Sequence, residues 1–346
     1  MSPRGVLVEE RVTLKQGAGG RAMRTLIQDV LVAGLPPAPD GSIALAAMDD
    51  GAALRLGDRW LVMTTDSHVV QPVFFPGGDI GRLAVCGTVN DLSMMGATEV
   101  LALTCAVVVE EGFRRADLER VQASLREACL EAGTTVVTGD TKVMGRGELD
   151  GIILNTSGVG LTERVVSDAG LRPGDRILVT GTVGDHGFAV LAVRHGLDLV
   201  GELRSDVAPL NGLIRRALLA GGDGIVAMKD PTRGGLSSAL HEMAGKAGVG
   251  IVLDETKVPV TEPVRAASEL LGIDPLSVAN EGKAVIGVRP EAALRVLEAL
   301  RAHPYGREAA IVGTCVEERP GSVVLDTGFG RRLLVEPEGE LLPRIC

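Results

Sequence analysis

Short apolar runs alternate with stretches of helical periodicity along most of this chain, a pattern that predicts a mixed α/β fold with interleaved strands and helices. Ser42–Met48, Trp60–Thr65, Val100–Val109, Thr134–Thr138 and Gly151–Gly158 read as strands. Arg115–Ala132 reads as an amphipathic helix, with Leu118, Val121, Leu125 and Cys129 on one face and Gly133 as its stop. Asp79 is placed to cap a second helix that runs through Ile80, Leu83 and Ala84 toward Met94, with Gly96 behind it. A new block begins near Leu171. There the turn Arg172-Pro173-Gly174-Asp175 leads into a strand, Arg176–Thr180, and a glycine-rich turn, Gly181–Gly187. Further on, Lys283–Val288 and Ala309–Val316 read as strands, and Pro290–Ala302 as a helix with proline in its first turn.

At 346 residues the chain exceeds one typical hydrophobic core, so two domains are expected. The boundary falls between Thr162 and Gly170. The expected units are an N-terminal domain over 1–165, a C-terminal domain over 166–335, and a tail over 336–346. The tail holds two prolines and a glycine without sustained periodicity, which suits a flexible arm. Stretched out, its last residues would reach about 30 Å at about 3.3 Å each.

Composition narrows the partners. Aromatic residues make up only 2%, so Val, Leu, Ile and Ala must build the core. A formal net charge of −10 argues against a nucleic-acid partner, which would need a basic face. No apolar run approaches the roughly 20 residues that span a bilayer. Met1–Glu10 has no apolar segment of the kind a signal peptide carries, so a cytoplasmic protein is expected. Of the five cysteines, Cys86, Cys105, Cys129 and Cys315 lie in apolar stretches and read as buried, inert thiols. Cys346 is the last residue, which is not the position of a prenylated cysteine. A terminal thiol is either an accident or a group that an arm carries between two catalysts.

Three acidic positions share one context. Asp49-Asp50, Asp66 and Asp140 each follow an apolar run. Aspartate is common in turns after strands, yet neighbouring strand ends would also gather these carboxylates into a site for Mg²⁺ and phosphate. On the helix that follows Asp79, Ala84, Gly87, Thr88 and Asp91 share one small face. That face serves either close packing on a sheet or an uncluttered site ending in a carboxylate. Two glycine-rich segments, Gln16–Arg21 and Asp230–Gly235, precede helical patterns and offer backbone N–H groups to an anion. Neither is a P-loop or a dinucleotide fingerprint. His68 and His186 fit no zinc spacing and read as hydrogen-bonding residues of turns.

The stretch TTDSHVVQPVFFPGGDIGRLAVCGTVNDLSMMGA, residues 64–97, resembles the N-terminal signature of the HypE family of hydrogenase-maturation carbamoyl dehydratases. TGDTK at 138–142, GDHG at 184–187, KDPTRGG at 229–235, NEGK at 280–283 and the terminal PRIC extend the likeness along essentially the whole chain. That family sits in the superfamily of aminoimidazole ribonucleotide synthetase, thiamine-monophosphate kinase and selenophosphate synthetase. The resemblance implies two α/β domains, a homodimer formed through N-terminal strands, and an ATP–Mg²⁺ site. It assigns Asp49 or Asp50, Asp66, Asp91 and Asp140 to the acidic set, with Asp230, Thr232 and Arg233 from the other domain. Gly17, Gly19 and Gly20 belong to the glycine-rich nucleotide segment, in which Gln16 stands where many relatives carry histidine.

The chemistry implied is dehydration of a carbamoyl group on Cys346. A HypF partner places the carbamoyl group, ATP phosphorylates its oxygen, and loss of phosphate leaves a thiocyanate for a HypC–HypD scaffold. Lys142 and Arg233 would neutralise the phosphoryl group, and Glu281 would act as base, positioned by Asn280 and Lys283. Two rival readings are a superfamily enzyme acting on a free small molecule and a non-catalytic carrier. No cysteine precedes Cys86, unlike a selenophosphate synthetase, and a thiamine-phosphate kinase has no use for a terminal thiol. A carrier would show no ATP turnover.

Overall fold

The computed structural model describes residues 11–17, 20–197, 203–337 and 345, with Arg21 in its backbone only. The helix α1, Gly20–Leu26, opens the described chain. Strands β1 (Ala52–Leu56) and β2 (Arg59–His68) form a hairpin, and the short pair β3 (Phe74–Phe75) and β4 (Gly78–Asp79) leads into α2 (Ile80–Met94). Next come β5 (Glu99–Glu110), α3 (Arg115–Ala132), β6 (Val136–Met144) and β7 (Ile152–Thr162). Their five-stranded sheet has the order β1-β2-β7-β5-β6. Only the β5–β6 pair is parallel, and α3 is its crossover.

The second half continues with β8 (Arg176–Val179), α4 (Asp185–His195), α5 (Asn211–Gly221), β9 (Ile225–Lys229), α6 (Gly235–Ala247) and β10 (Gly250–Asp254). It ends with α7 (Glu262–Leu271), β11 (Val285–Val288), α8 (Pro290–Arg301), β12 (Ala310–Val316), β13 (Val323–Asp326) and β14 (Arg331–Leu333). Seven of these strands form one sheet in the order β14-β13-β10-β12-β8-β11-β9. Leu236, Leu240 and Met243 of α6 fill one of its buried clusters. Leu213 and Ile214 of α5 share another with Val296 and Leu300 of α8.

Local chemistry explains most element ends. Asp79 Oδ1 accepts from the amides of Gly81 (2.8 Å) and Arg82 (3.1 Å), a cap worth about 1 kcal/mol. Gly133 ends α3 in the left-handed region, at φ +69°. The expected strand Ser42–Met48 does not form. Ile43 makes a single bridge to Ala53, and Leu45–Ala47 coils into a 3₁₀ turn that ends at Met48 with φ +50°. Apart from Ile43, this alanine-rich segment lacks the β-branched and aromatic side chains that favour a pleated surface.

Helix α2 is buried along nearly its whole length, and Leu83 and Leu92 are fully covered, each worth about 1.5–3 kcal/mol on burial. Its small residues let it approach the sheet closely. Thr156 of β7 donates its hydroxyl to the Ala84 carbonyl (2.9 Å), and the Thr88 and Thr156 hydroxyls lie 2.6 Å apart. Met63, Leu101, Val137 and Val143 of this sheet are exposed. Asn90, on α2, joins the two halves. Its side chain donates to the carbonyls of Ala208 and Glu281 (both 3.1 Å) and accepts from the amide of Leu210 (2.8 Å). Among the described residues no helix is long and apolar enough to cross a membrane.

Candidate active site

The hairpin β1–β2, helix α2 and the β9–α6 loop enclose a cavity of about 810 Å³. Asp49, Asp50, Asp66, Asp91, Asp230, Thr232, Arg233 and Glu281 all line it, from widely separated parts of the sequence. The small face of α2 packs on the sheet, and its last residue, Asp91, opens into the cavity. Thr64 of β2 donates its hydroxyl to Asp91 Oδ2 (2.9 Å) and fixes that carboxylate. Gly87 leaves room at its position, because a Cβ there would sit 2.7 Å from the His68 ring and 3.1 Å from Asp66 Oδ2.

Burial drives Asp50, Asp91, Asp230 and Glu281 toward their protonated forms. Asp50 is pushed up to about 7 by burial, against the pull of Lys229 and with the repulsion of Asp230 and Asp49. Asp230 rises to about 6, chiefly through burial, although Lys229 pulls it down. Asp91 and Glu281 are both raised well above the usual carboxylate range by burial and by neighbouring carboxylates. Burial alone would lower Lys229, but Asp50, Glu242 and Asp168 outweigh it and hold the ammonium charged. Lys229 reaches Asp50 Oδ1 at 2.6 Å, Glu242 Oε2 at 3.3 Å and Asp168 Oδ2 at 3.5 Å. Lys246 completes the group, 2.6 Å from Asp168.

Asp50 Oδ2 and Glu281 Oε1 are buried and without hydrogen-bond partners. Orphaned acceptors among crowded carboxylates are what a cation-binding wall presents. Among the described residues, however, no three acidic, histidine or cysteine side chains converge closely enough to hold a metal ion. The wall therefore fits an ion such as Mg²⁺, held by one or two carboxylates and completed by phosphate oxygens and water.

The β9–α6 loop supplies the opposite charge. Gly234 and Gly235 take φ values of +76° and +61°, and a Cβ on Gly235 would strike the Val278 carbonyl at 2.5 Å. Asn280 anchors this loop: its amide and its side chain both donate to the Pro231 carbonyl, at 3.0 and 3.2 Å. It also accepts from the Gly184 amide (2.7 Å), so it holds the backbone on which Glu281 sits. The Glu281 amide donates to Asp206 Oδ1 (3.0 Å), and Lys283 pairs with Asp206 Oδ2 (3.0 Å). Asn280 and Lys283 thus lie behind Glu281, outside the cavity wall.

Asp140 and Lys142 do not join this cavity within one copy of the chain. They lie on β6, the exposed edge of the five-stranded sheet, and their side chains are 63% and 65% exposed. Lys142 donates to Asp140 Oδ2 (2.6 Å) and holds that carboxyl below its ordinary range. In the glycine-rich segment, Gly17 is open and Gly20 takes φ +65°, and neither lines the cavity. Helix α1, which follows, contributes Met23, Arg24 and Ile27 to the wall. A Cβ on Gly20 would lie 2.9 Å from the Pro337 carbonyl, so this segment packs on the start of the tail. Gly19 and Cys346 lie outside the described residues.

Neither histidine is in a turn. His68 ends β2, buried, with Nε2 3.4 Å from Asp66 Oδ2, and burial lowers its proton affinity. His186 lies in the first turn of α4, also buried, and contacts Ser205 and the carbonyl of Ile345. Ile345 is itself only 4% exposed. Sequence reading missed Lys229, Asp206, Asp168, Glu242 and Asn90. Lys229 and Asn90 do stand inside the motifs quoted for the family likeness, as neighbours of Asp230 and Asp91, but Asp206 carries no local signal.

Comparison with known proteins adds the wider context. Residues 48–162 match the model of the AIR synthase related protein N-terminal domain, and residues 172–326 that of the C-terminal domain. The carbamoyl dehydratase HypE of Azotobacter vinelandii is 48% identical over 338 residues, covering 97% of this chain and 97% of that protein. A crystal structure of a HypE–HypF complex superimposes with a TM-score of 0.83 at 44% identity, over 90% of this chain and 99% of that one. A crystal structure of the hydrogenase maturation protein HypE in complex with ATP gives a TM-score of 0.80 at 44% identity, over 96% and 99%.

Proposed function

The chain belongs to the HypE family of carbamoyl dehydratases, within the AIR synthase related proteins, and on that premise we propose that it dehydrates a carbamoyl group on its own Cys346 at the expense of ATP. The product is an S-cyano group for the iron centre of [NiFe]-hydrogenase. ATP lies in the cavity that Asp66, Asp91, Asp230 and Arg233 line. The observation that carries this reading is the burial of Ile345. The penultimate residue belongs to the same buried cluster as α2 and α4, so the end of the chain enters the molecule beside the Glu281 segment.

The reaction balances as two displacements. The carbamoyl oxygen attacks the γ-phosphorus, the bond to ADP breaks, and nitrogen gives up one proton. The second nitrogen proton then leaves as the C–O bond breaks to release phosphate, and sulfur is left bearing C≡N. Glu281, whose proton affinity burial has raised, is the base within the cavity wall. Arg233, at the start of α6, faces the phosphoryl charge together with the backbone of the Gly234-Gly235 turn. Mg²⁺, when bound, neutralises phosphate charge, and Asp91 and Asp230 would hold it.

The uncovered apolar face of the five-stranded sheet pairs with a second copy. That dimer brings Asp140 and Lys142 of one subunit toward the cavity of the other. HypF is the carbamoyl donor, as the likeness to the HypE–HypF complex supports, and a HypC–HypD scaffold is the acceptor. The protein works in the cytoplasm.

Intact-protein and peptide mass spectrometry test this directly. Carbamoylated wild-type protein given Mg-ATP is expected to lose the mass of one water at its C-terminal peptide and to release phosphate. Cys346→Ala should bind Mg-ATP and yield neither. A water loss that maps elsewhere, or that persists in Cys346→Ala, refutes the reading.

A further inference from the structure

Both ring nitrogens of His186 are committed. Nε2 lies 2.7 Å from the carbonyl oxygen of Ile345, and Nδ1 lies 2.8 Å from Ser205 Oγ. A carbonyl only accepts, so Nε2 carries the proton. Nδ1 of the neutral ring is then an acceptor for the Ser205 hydroxyl. Ser205 Oγ in turn accepts from the Val207 amide (3.1 Å), which leaves its own proton for the ring. The edge-to-face contact with Phe75, at 5.3 Å and 88°, fixes the ring plane. Ser205 is itself held, its amide donating to the Pro76 carbonyl (2.8 Å).

This receptor has two parts. It offers one N–H donor aimed at the carbonyl of residue 345 and an apolar surround for the isoleucine side chain, which is 4% exposed. The carbonyl belongs to the peptide bond that joins Ile345 to Cys346. The residue next to Ser205 is Asp206, which accepts the Glu281 backbone amide (3.0 Å). One short stretch of backbone thus sets both the tail anchor and the base.

We infer that His186, its tautomer set by Ser205, is a positioning residue that anchors the C-terminal tail by the carbonyl of Ile345 and so registers the terminal thiol against Glu281. This rests on the reading that Cys346 carries the reacting group. The anchor recognises backbone at residue 345, so it holds the tail whatever group the thiol bears. Its apolar surround accepts a large aliphatic side chain there and rejects a charged one.

The test is the alkylation rate of each cysteine in the full-length protein, read with iodoacetamide and peptide mass spectrometry. Cys86, Cys105, Cys129 and Cys315 are buried and report on the fold in the same sample. His186→Leu is expected to speed alkylation of Cys346 on the order of tenfold while those four stay protected. His186→Gln keeps an N–H donor near the Nε2 position and should stay near the wild-type rate. The anchor is refuted if Cys346 reacts equally fast in His186→Leu and wild type, or if the Gln and Leu variants behave alike. Should His186→Leu expose all five thiols, Ser205→Ala decides. Cys346 must quicken alone there, and an unchanged rate overturns the proposal. In the dehydration assay, Ser205→Ala and His186→Leu should slow the water loss at Cys346 without changing the KM for ATP. Alkylation needs no turnover, so a wild-type protein that makes no S-cyano product would refute the proposed function and leave the anchor standing.

Discussion

Lys229 Nζ lies 2.6 Å from Oδ1 of Asp50, and this pair ties the end of β9 in the second half of the chain to the hairpin of the first. The ammonium pairs with three carboxylates, those of Asp50, Asp168 and Glu242. Lys229→Met should therefore leave several buried anions uncompensated and cost about 3–5 kcal/mol. Urea unfolding of the protein without added metal checks this. A loss below about 1 kcal/mol would mean that the acids relax by taking up protons.

The same acids set a dependence on pH. Asp50 rises from 3.8 to about 7, and Asp168 and Asp230 to about 6, each chiefly through burial. The native state then binds more protons than the unfolded chain. Their stabilisation is complete below about pH 4 and is lost as pH climbs through 6 and 7. Buried His68 and His186, with lowered proton affinity, act in the opposite sense, and their stabilisation is lost as pH falls below 6.5. The difference between wild type and Asp50→Asn isolates the carboxylate. Between pH 4 and 7 the wild-type protein should lose stability more steeply than the variant, by up to about 1.4 kcal/mol per pH unit. Thermal melts that run parallel over this range would contradict the assignment.

Asp140 faces outward on an edge strand, so the role proposed for it requires a second copy. Asp66→Asn and Asp140→Asn should each weaken Mg-ATP binding in homodimers. In a mixed dimer of the two variants, one site carries both substitutions and the other carries neither. Such dimers should recover about half of the wild-type sites, counted by ATP titration. Recovery of none would place Asp140 in the site of its own chain, and an Asp140→Asn homodimer with wild-type affinity would place it outside both.

Gly87→Ala sets a helix gain against a clash. Alanine favours α2 by about 1 kcal/mol over glycine. Its Cβ, however, would lie 2.7 Å from the buried His68 ring and 3.1 Å from Asp66. Overpacking of this kind costs about 1–3 kcal/mol, so a small net destabilisation is expected. A larger effect should appear in Mg-ATP affinity, because Asp66 must move. Calorimetric titration showing wild-type affinity would remove Gly87 as the spacer of that carboxylate.

Much of this protein is legible residue by residue. The Asp79 cap, the run Arg115–Ala132 and its Gly133 stop depend on neighbours within a turn or two, and they appear in the structure as written. The small face of α2 was visible too, although sequence could not choose between packing and ligand binding. It had no need to choose, since close packing is what delivers Asp91 to the cavity. Ser42–Met48 misled because hydrophobicity with a single β-branched residue does not make a strand.

The carboxylates show where sequence stops. Asp66 and Asp140 have the same local context, an aspartate at the end of an apolar run, and both lie within their strands. Asp66 sits on β2 opposite Thr156 of β7, facing α2, whereas Asp140 sits on the outermost strand. Strand order separates their fates, and strand order is set by pairings between residues far apart in the chain. Asp206 behind Glu281, Lys229 beside Asp50 and His186 beneath Ile345 have the same origin. Sequence alone determined helices α2, α3 and α8, the Asp79 cap, the Gly133 stop and the family likeness, because those depend on short-range spacing. Only the tertiary structure decided which carboxylates meet and which stay apart, because that depends on how two sheets and α2 pack.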